Sequence, residues 1–264
     1  MNGGQQRDDA PFAFISGAPR SPKPRDTGLT VIADRGYGMR RLEDLVETAG
    51  AHVDWVKFAI GHWRVLPESV LRAKIEFLHA AGIQVFLAGD ASEAAWLQGE
   101  SERYFDAVLA LGADGVEISS AQVLMPLDAK LDLVARAAGA GLAVVAEAGR
   151  KGSDPRPLLG GGIMEEIGAL RAAGPWRVLI QAEGITEGVE EPRRELIADI
   201  IATFGHERLI FQAKDPATQE FYIRSFGPQV SLDVEDDQAV ALELLRLGLR
   251  KTALAGLTRQ EKAP

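Results

Sequence analysis

Cysteine is absent from the chain, histidine is scarce, and long apolar runs are missing. With no cysteine among 264 residues, disulfides, thiolate metal sites and cysteine nucleophiles are excluded. Four histidines leave little room for a histidine-rich zinc site. Apolar runs stay below the roughly 18 residues that a transmembrane helix requires. We therefore expect a cytoplasmic protein with no membrane partner.

Basic residues are also in deficit. Lys and Arg total 29 against 38 Asp and Glu, which gives a formal net charge of −9. A nucleic-acid-binding protein usually presents a basic patch, so we expect no nucleic-acid partner. An anionic substrate would have to be held by a few local cations against an unfavourable overall field.

The two ends differ in composition from the rest. Residues 1–24 contain four of the 13 prolines and are interpreted as a flexible N-terminal arm. The alternative is that Phe12, Phe14 and Ile15 dock on a neighbouring subunit. Residues 258–264 are polar and are expected to fray. Residues 25–257 are predicted to form one domain.

Within that domain, short apolar runs alternate with amphipathic stretches. The runs are nearly unbroken, which is typical of parallel strands buried on both faces. Eight of them are predicted as strands: Leu29–Ala33, Val53–Phe58, Gln84–Ala88, Gly115–Ile118, Leu142–Ala146, Arg177–Gln181, Arg208–Phe211 and Gln229–Leu232. Helical spacing between them, as in Leu71, Ile75 and Leu78, completes the alternation.

Eight strand–helix units in this length predict an α/β fold, a single (β/α)8 TIM barrel. A Gly-x-Gly-x-x-Gly motif does not follow the first strand, which argues against a dinucleotide-binding fold. In a TIM barrel the chemistry lies at the carboxyl ends of the strands. The polar residues at those ends are therefore the candidates for a site.

Carboxylates and cations converge at the predicted strand ends. Asp34, Glu117 and Glu147 come from separate strands, and such oxygen ligands suit Mg²⁺. Cations that could bind phosphate or carboxylate oxygens are Lys57, Arg150, Lys151 and Lys214. A lysine in a dry pocket among other cations can have a lowered pKa and act as a general acid or base. The spacing predicts a metal-assisted enzyme for a small anionic substrate.

Each candidate also has a purely structural interpretation. Lys57 and Glu117 could form a buried ion pair that only fixes packing, and Asp34 could be a turn residue before Gly36. Arg150 could serve in a salt bridge. His62 is interpreted as a packing or surface residue rather than a ligand.

The sequence resembles the phosphosulfolactate synthase family. The similarity covers about residues 28–252 as an ordered set of segments at near-constant spacing. They are Gly28–Val31 with Asp34 and Gly36, Asp54–Phe58, Lys74–Ile75, Gly82–Val85, Val116–Ser119, Glu147–Lys151, Phe226–Pro228 and Leu242–Arg250.

The resemblance implies a (β/α)8 barrel that uses Mg²⁺ and adds sulfite to C3 of phosphoenolpyruvate. Lys151 matches the family's proposed proton donor to C2, and Lys57 is assigned with it to catalysis. Asp34, Glu117 and Glu147 would hold Mg²⁺. Arg35, Ser119, Arg150, Lys214 and Arg250 would bind the substrate, although Arg250 could merely tie the last helix to the barrel. A homo-oligomer is also implied.

The sequence departs from the family pattern at several strand ends. Gln181 and Gln212 each replace a glutamate of the family pattern. The arginine that follows the first of these glutamates in the family has no counterpart here. Arg150 replaces the first lysine of a lysine pair. A change from Glu to Gln keeps the size but removes a charge. We therefore expect a divergent member. The alternatives are a paralogue acting on another small phosphorylated or carboxylated substrate, and a non-catalytic barrel like the family's stress-associated plant relative.

Overall fold

The computed structural model describes residues 12, 14–15, 17–149 and 160–250. Eight parallel strands close into a barrel in chain order, as predicted, and each strand end lies within two residues of its predicted position. The strands are β1 Thr30–Asp34, β2 Trp55–Phe58, β3 Gln84–Leu87, β4 Gly115–Ile118, β5 Ala143–Ala148, β6 Arg177–Ile180, β7 Leu209–Gln212 and β8 Ser231–Val234.

Helices surround the barrel in the expected alternation, and two of them connect β3 to β4. Their bounds are α1 Met39–Ala49, α2 Glu68–Ala80, α3 Gly89–Leu97, α4 Ser101–Leu111, α5 Leu127–Gly139, α6 Gly160–Ala172, α7 Arg194–Phe204, α8 Pro216–Phe226 and α9 Ala239–Arg246. Two 3₁₀ turns lie at His62–Arg64 and Asp236–Gln238. Within the described residues, no helix is long and apolar enough to cross a membrane.

The barrel interior changes from apolar to polar along its axis. A layer of inward-facing side chains, Val31, Trp55, Phe86, Val145, Leu179 and Ile210, fills the middle. Because side chains alternate along a strand, the residues two positions further on also face inward. Three of these are Lys57, Glu147 and Gln212, and all are buried. The fold therefore collects polar side chains at the carboxyl end of the barrel.

The segment before β1 packs against the opposite end of the barrel, which corrects the predicted flexible arm for residues 17–24 alone. The Arg20 Nε lies 3.1 Å from both carboxylate oxygens of Glu243. The Lys23 Nζ donates to the Gly50 carbonyl at 3.0 Å, and the Arg25 Nη1 donates to Asp54 Oδ1 at 2.9 Å. The chain is thus attached to the barrel from Gly17 onward. Most of the predicted arm and the whole predicted tail lie outside the described residues.

Candidate active site

A pocket of about 140 Å³ opens at the carboxyl ends of the strands. Six of the predicted site residues line it: Arg35, Lys57, Glu117, Ser119, Glu147 and Lys214. They come from the ends of five different strands, β1, β2, β4, β5 and β7, as expected for a TIM-barrel site. The barrel geometry therefore brings together most of the described residues that were selected from the sequence.

Lys57 lies at the centre of a buried charge cluster. Its Nζ is 2.5 Å from Asp233 Oδ2 and 3.6 Å from Glu117 Oε2. Glu147 is the third carboxylate that acts on it. One ammonium and three carboxylates leave an excess of negative charge in this cluster, which favours binding of a further cation. Asp233, from β8, was not among the predicted site residues.

The protonation of Lys57 differs from what the sequence suggested. Burial alone would lower its pKa, but the charges of Asp233 and Glu117 and the hydrogen bond to Asp233 outweigh burial and raise the pKa above its usual value. Lys57 is therefore a fixed cation at neutral pH. A lowered pKa, which a lysine among cations can have, does not apply to Lys57, because its neighbours are carboxylates, among them the Glu117 of the alternative ion-pair interpretation.

Glu117 and Glu147 are the two predicted metal ligands that line the pocket. Glu117 Oε1 accepts a hydrogen bond from the Gly89 amide at 2.9 Å, whereas its buried Oε2 has no hydrogen-bond partner among the described residues. Mg²⁺ commonly uses one or two protein carboxylates and completes its shell with water and substrate oxygens. In the described part of the chain, no three or more His, Asp or Glu side chains form a metal site by themselves. The donor set thus suits an ion shared with a substrate.

Asp34, the third predicted metal ligand, is not part of the pocket. It follows the inward-facing Ala33, so its side chain points outward, where it is fully buried. Its Oδ1 accepts hydrogen bonds from the amides of Gly36 and Tyr37, both at 2.8 Å, and its Oδ2 pairs with Lys74. This geometry matches the interpretation of Asp34 as a turn residue.

Two exposed cations stand at the rim of the pocket. The Arg35 Nη2 lies 2.7 Å from Glu235 Oε1, and the Lys214 Nζ lies 3.7 Å from the same oxygen. Their side chains are 38% and 33% exposed, so solvent screens both pairs. A phosphate or carboxylate entering the pocket could therefore compete with Glu235 for these cations at modest cost.

Glu93, on α3, holds the segment that follows β4 in place at the side of the pocket. Its carboxylate accepts hydrogen bonds from the Ser119 hydroxyl and from the amides of Ala121, Gln122 and Val123, the last three at 2.8–3.0 Å. The Ser119 hydroxyl is thus already engaged. The sequence offered only the position of Glu93 shortly after β3 as a signal of this role.

The remaining predicted residues lie elsewhere. Arg250 follows the end of α9, where Arg246 bonds the carbonyls of Val230 and Leu29 at the amino ends of the strands. The structure therefore places Arg250 at the end of the barrel opposite the pocket. Arg150 and Lys151 lie outside the described residues, so their assignments stay predictions. His62 is buried, and its Nδ1 lies 2.8 Å from the Ala59 carbonyl, as expected for a packing residue.

The two glutamines that replace family glutamates are both buried near the pocket. Gln212 lines it and accepts a hydrogen bond from the Ala182 amide at 3.3 Å. Gln181 Oε1 is buried without a hydrogen-bond partner among the described residues. These positions lack the two negative charges that the family pattern would add.

Ile60 forms the apolar part of the pocket rim in a strained conformation. Its φ is +55°, which β-branched residues rarely adopt, and its side chain is 64% exposed. We expect Ile60→Gly to raise the free energy of unfolding by up to about 1 kcal/mol, because glycine adopts this conformation without strain. We also expect it to raise KM, since the rim loses its side chain. Urea unfolding and steady-state kinetics measure the two effects.

Val65 provides the matched control, because it is exposed in the same loop but has a φ of −113°. Val65→Gly should lower the free energy of unfolding by about 0.5–1 kcal/mol, since glycine at this position only increases the conformational entropy of the unfolded chain. A loss of stability in Ile60→Gly similar to that in Val65→Gly would contradict the strain at Ile60.

Comparison with known proteins assigns the family. The sequence profile of (2R)-phospho-3-sulfolactate synthase (ComA) matches residues 18–252. The chain belongs to the phosphosulfolactate synthase family. A phosphosulfolactate synthase from Methanothermobacter thermautotrophicus is 29% identical over 256 residues, which cover 92% of this chain and 97% of that protein. The predicted resemblance is thus confirmed, and at family level it supports an enzyme of the lyase type.

Two further comparisons concern a plant protein that is similar in sequence and a solved structure that is similar in fold. The Arabidopsis thaliana protein HEAT-STRESS-ASSOCIATED 32 is 27% identical over 260 residues, covering 89% of this chain and 91% of that protein. The structure of 3-hexulose-6-phosphate synthase from Salmonella typhimurium superposes with a TM-score of 0.57 at 14% identity, covering 84% of this chain and all of the other. The second likeness concerns the fold alone.

Proposed function

We propose that this chain adds sulfite to phosphoenolpyruvate to form phosphosulfolactate. The observation that carries the proposal is the pocket itself, where Lys57, Glu117 and Glu147 meet at the barrel mouth with Arg35 and Lys214 at the rim. In a family member, this arrangement suits an acceptor that carries both a phosphate and a carboxylate.

The reaction is an addition that needs no leaving group. The sulfur lone pair of sulfite forms a bond to C3 of phosphoenolpyruvate, and the electrons of the C2–C3 double bond move toward C2 and the carboxylate. A proton then adds to C2, and the phosphate ester stays intact. Developing negative charge on the carboxylate has to be stabilised while the proton is delivered.

The residues divide into three roles. Lys57 remains protonated and supplies a fixed positive charge at the pocket floor. Arg35 and Lys214 bind the phosphate at the rim, where they exchange Glu235 for substrate oxygens. Lys151 donates the proton to C2, a role that rests on the family resemblance.

Glu117 and Glu147 would hold Mg²⁺, which would supply Lewis-acid stabilisation of the substrate carboxylate when bound. Their excess negative charge around Lys57 is the observation that supports such an ion.

The cytoplasmic location and the homo-oligomer stay predictions.

Thermal unfolding with phosphoenolpyruvate, sulfite and Mg²⁺, singly and together, tests the proposal, with ³¹P NMR of the mixture to detect product. We expect stabilisation of about 2.7 kcal/mol at a ligand concentration 100 times Kd. Lys151→Ala should lower the rate by at least about 100-fold. Arg103→Ala serves as a control, because this side chain is 85% exposed on α4.

Each outcome decides between the candidates. Product that depends on Lys151 supports the proposal. Stabilisation by phosphoenolpyruvate without product overturns sulfite as the nucleophile and favours a paralogue with another one, consistent with Gln181 and Gln212. No stabilisation by any of the three overturns the proposal and favours another substrate or a non-catalytic role.

A further inference from the structure

Strand β5 extends beyond its neighbour β4 at the pocket. The pairing between them ends at Ile118 and Ala146, whereas β5 continues to Ala148 and remains paired with β6 there. Glu147, whose carboxylate lines the pocket, therefore lies beyond the end of the β4 pairing. In a strand, the carbonyl of one residue and the amide two residues later point to the same side. The Glu147 carbonyl and the Gly149 amide thus need partners on the β4 side.

An ion pair from two helices, between the buried Lys130 and the half-buried Glu166, supplies both partners. The Lys130 Nζ, from α5, donates to the Glu147 carbonyl at 2.5 Å and lies 2.9 Å from Glu166 Oε1. Glu166, from α6, accepts a hydrogen bond from the Gly149 amide through Oε2 at 3.1 Å. The lysine donates where a strand amide would donate, and the carboxylate accepts where a strand carbonyl would accept.

The same lysine links this pair to the end of β4. The Lys130 Nζ lies 3.1 Å from Ser120 Oγ, and Ser120 is the residue that would face Ala148 if the β4–β5 register continued. The ion pair occupies the place of the Ser120 backbone, since the chain turns away from β5 after β4 ends.

Burying the Lys130 ammonium costs free energy that packing contacts alone would not require. Its side chain is 1% exposed and lies on the α5 face that also carries Leu133, Val134 and Ala137. Replacing such an ion pair by apolar residues is often neutral or stabilising. The polarity of the pair, matched to the two backbone groups, accounts for a lysine at this position.

We propose that Lys130 and Glu166 are positioning residues that extend the β4 edge and so hold the Glu147 carboxylate in the pocket. As a statement about catalysis, this rests on the proposed function. The pair also holds Gly149, the last described residue before Arg150 and Lys151. Gly149 has a φ of +106°, and a Cβ there would approach the Gln181 Cβ to 2.9 Å, so the chain direction at this point is tightly defined.

Four variants test the proposal: Lys130→Met, Lys130→Arg, Glu166→Met and the double variant Lys130→Glu/Glu166→Lys. A simple ion pair would be restored in the double variant. Our proposal predicts no rescue, because the new carboxylate would face the Glu147 carbonyl and the new ammonium would face the Gly149 amide. Lys130→Arg, which keeps the donor, should retain most of the function.

The first readout does not depend on any reaction. Amide hydrogen exchange at Gly149, followed by NMR, should accelerate at least about tenfold in Glu166→Met and Lys130→Met. Leu133→Ala is the matched control, since Leu133 is buried on the same face of α5 but has no polar group that could bond the Glu147 carbonyl or the Gly149 amide. Unchanged exchange at Gly149, or acceleration equal to that in Leu133→Ala, would overturn the positioning role.

The second readout uses phosphoenolpyruvate, sulfite and Mg²⁺. We expect the Mg²⁺ concentration for half-maximal activity to rise about 10- to 100-fold in Lys130→Met and Glu166→Met, with little change in Leu133→Ala. If exchange at Gly149 accelerates in these two variants but the wild-type protein forms no product, the strand extension stands and the proposed function is overturned. Normal Mg²⁺ dependence in an active Glu166→Met variant, or rescue by the double variant, would overturn the positioning role while the proposed function stands.

Discussion

Replacing Lys57 by methionine is expected to lower the free energy of unfolding at pH 7 by about 3–5 kcal/mol, because it leaves buried carboxylates without their cation. Asp233 is fully buried, and Glu117 is nearly so. Under the proposed function, the rate should also fall by about 1,000-fold, since a preorganised charge in such a pocket contributes this much. Urea unfolding and the NMR product assay measure the two effects.

The pH dependence of this loss has a definite sign. The pKa of Lys57 is raised in the folded protein, so the stability it contributes is present throughout neutral pH and is lost only as pH rises through that raised value. In Lys57→Met, protonation of a buried carboxylate that has lost its cation removes the unpaired charge. The variant should therefore recover stability relative to the wild type as pH falls from 7 toward 5.

The double variant Lys57→Met/Asp233→Asn separates stability from activity. It removes the buried charge nearest to Lys57 and should regain a large part of the lost stability, while activity stays low. Equal stability of the wild type and Lys57→Met would contradict a charged cluster at the pocket floor.

Replacing Arg20 by methionine should lower the free energy of unfolding by about 3 kcal/mol, although this residue lies far from the pocket. The Arg20 and Glu243 side chains are 1% and 4% exposed. The Arg20 Nη2 also donates to the Gly28 carbonyl at 3.1 Å. The variant leaves Glu243 buried without its hydrogen-bonded cation, with His52 3.7 Å away and the charge of Arg246 as the remaining favourable contributions. Chemical denaturation at pH 7 measures the loss.

The acid dependence gives a second check on Arg20. Burial raises the pKa of Glu243, but the hydrogen bond and charge of Arg20 lower it more, so the net pKa lies below the usual 4.5. Stability from this pair is therefore present above pH 4.5 and is lost as pH falls through the lowered pKa. Arg20→Met should lack this acid-dependent loss.

Activity per folded molecule should be unchanged in Arg20→Met, because residues at the amino end of a barrel serve stability rather than catalysis. Arg103→Met, at an exposed ion pair on α4, should change stability by less than about 0.5 kcal/mol. Similar stability of Arg20→Met and Arg103→Met would show that residues 17–24 do not stabilise the barrel.

The sequence alone was sufficient for the strands because each is buried on both faces and so forms a nearly continuous apolar run. Residues interrupting or ending such runs, among them Lys57, Glu117 and Glu147, had to lie at the carboxyl end of a barrel once eight units were counted. Their presence in one pocket follows from the fold class and needs no contact information.

In a continuous apolar run, however, polar and apolar residues do not alternate, so the run does not indicate which residues face the barrel interior. For this reason Asp34 was expected in the pocket, whereas the inward residue of β1 is Ala33. Asp233, which contacts Lys57, was passed over for the same reason. The direction of a side chain depends on the register of the closed barrel, and a shift of one residue reverses it.

The barrel, its strand order and the family of the chain could be predicted without coordinates, because they depend on the order of apolar and polar residues along the chain. Which charges are buried and paired depends on the packed fold and could not be predicted in this way. Lys130 and Glu166 are 36 residues apart, and a lysine on a helix has the same appearance in a sequence whether it faces water or a strand end. Their meeting beside Glu147 depends on where β4 stops and β5 continues, which is a property of the packed barrel alone.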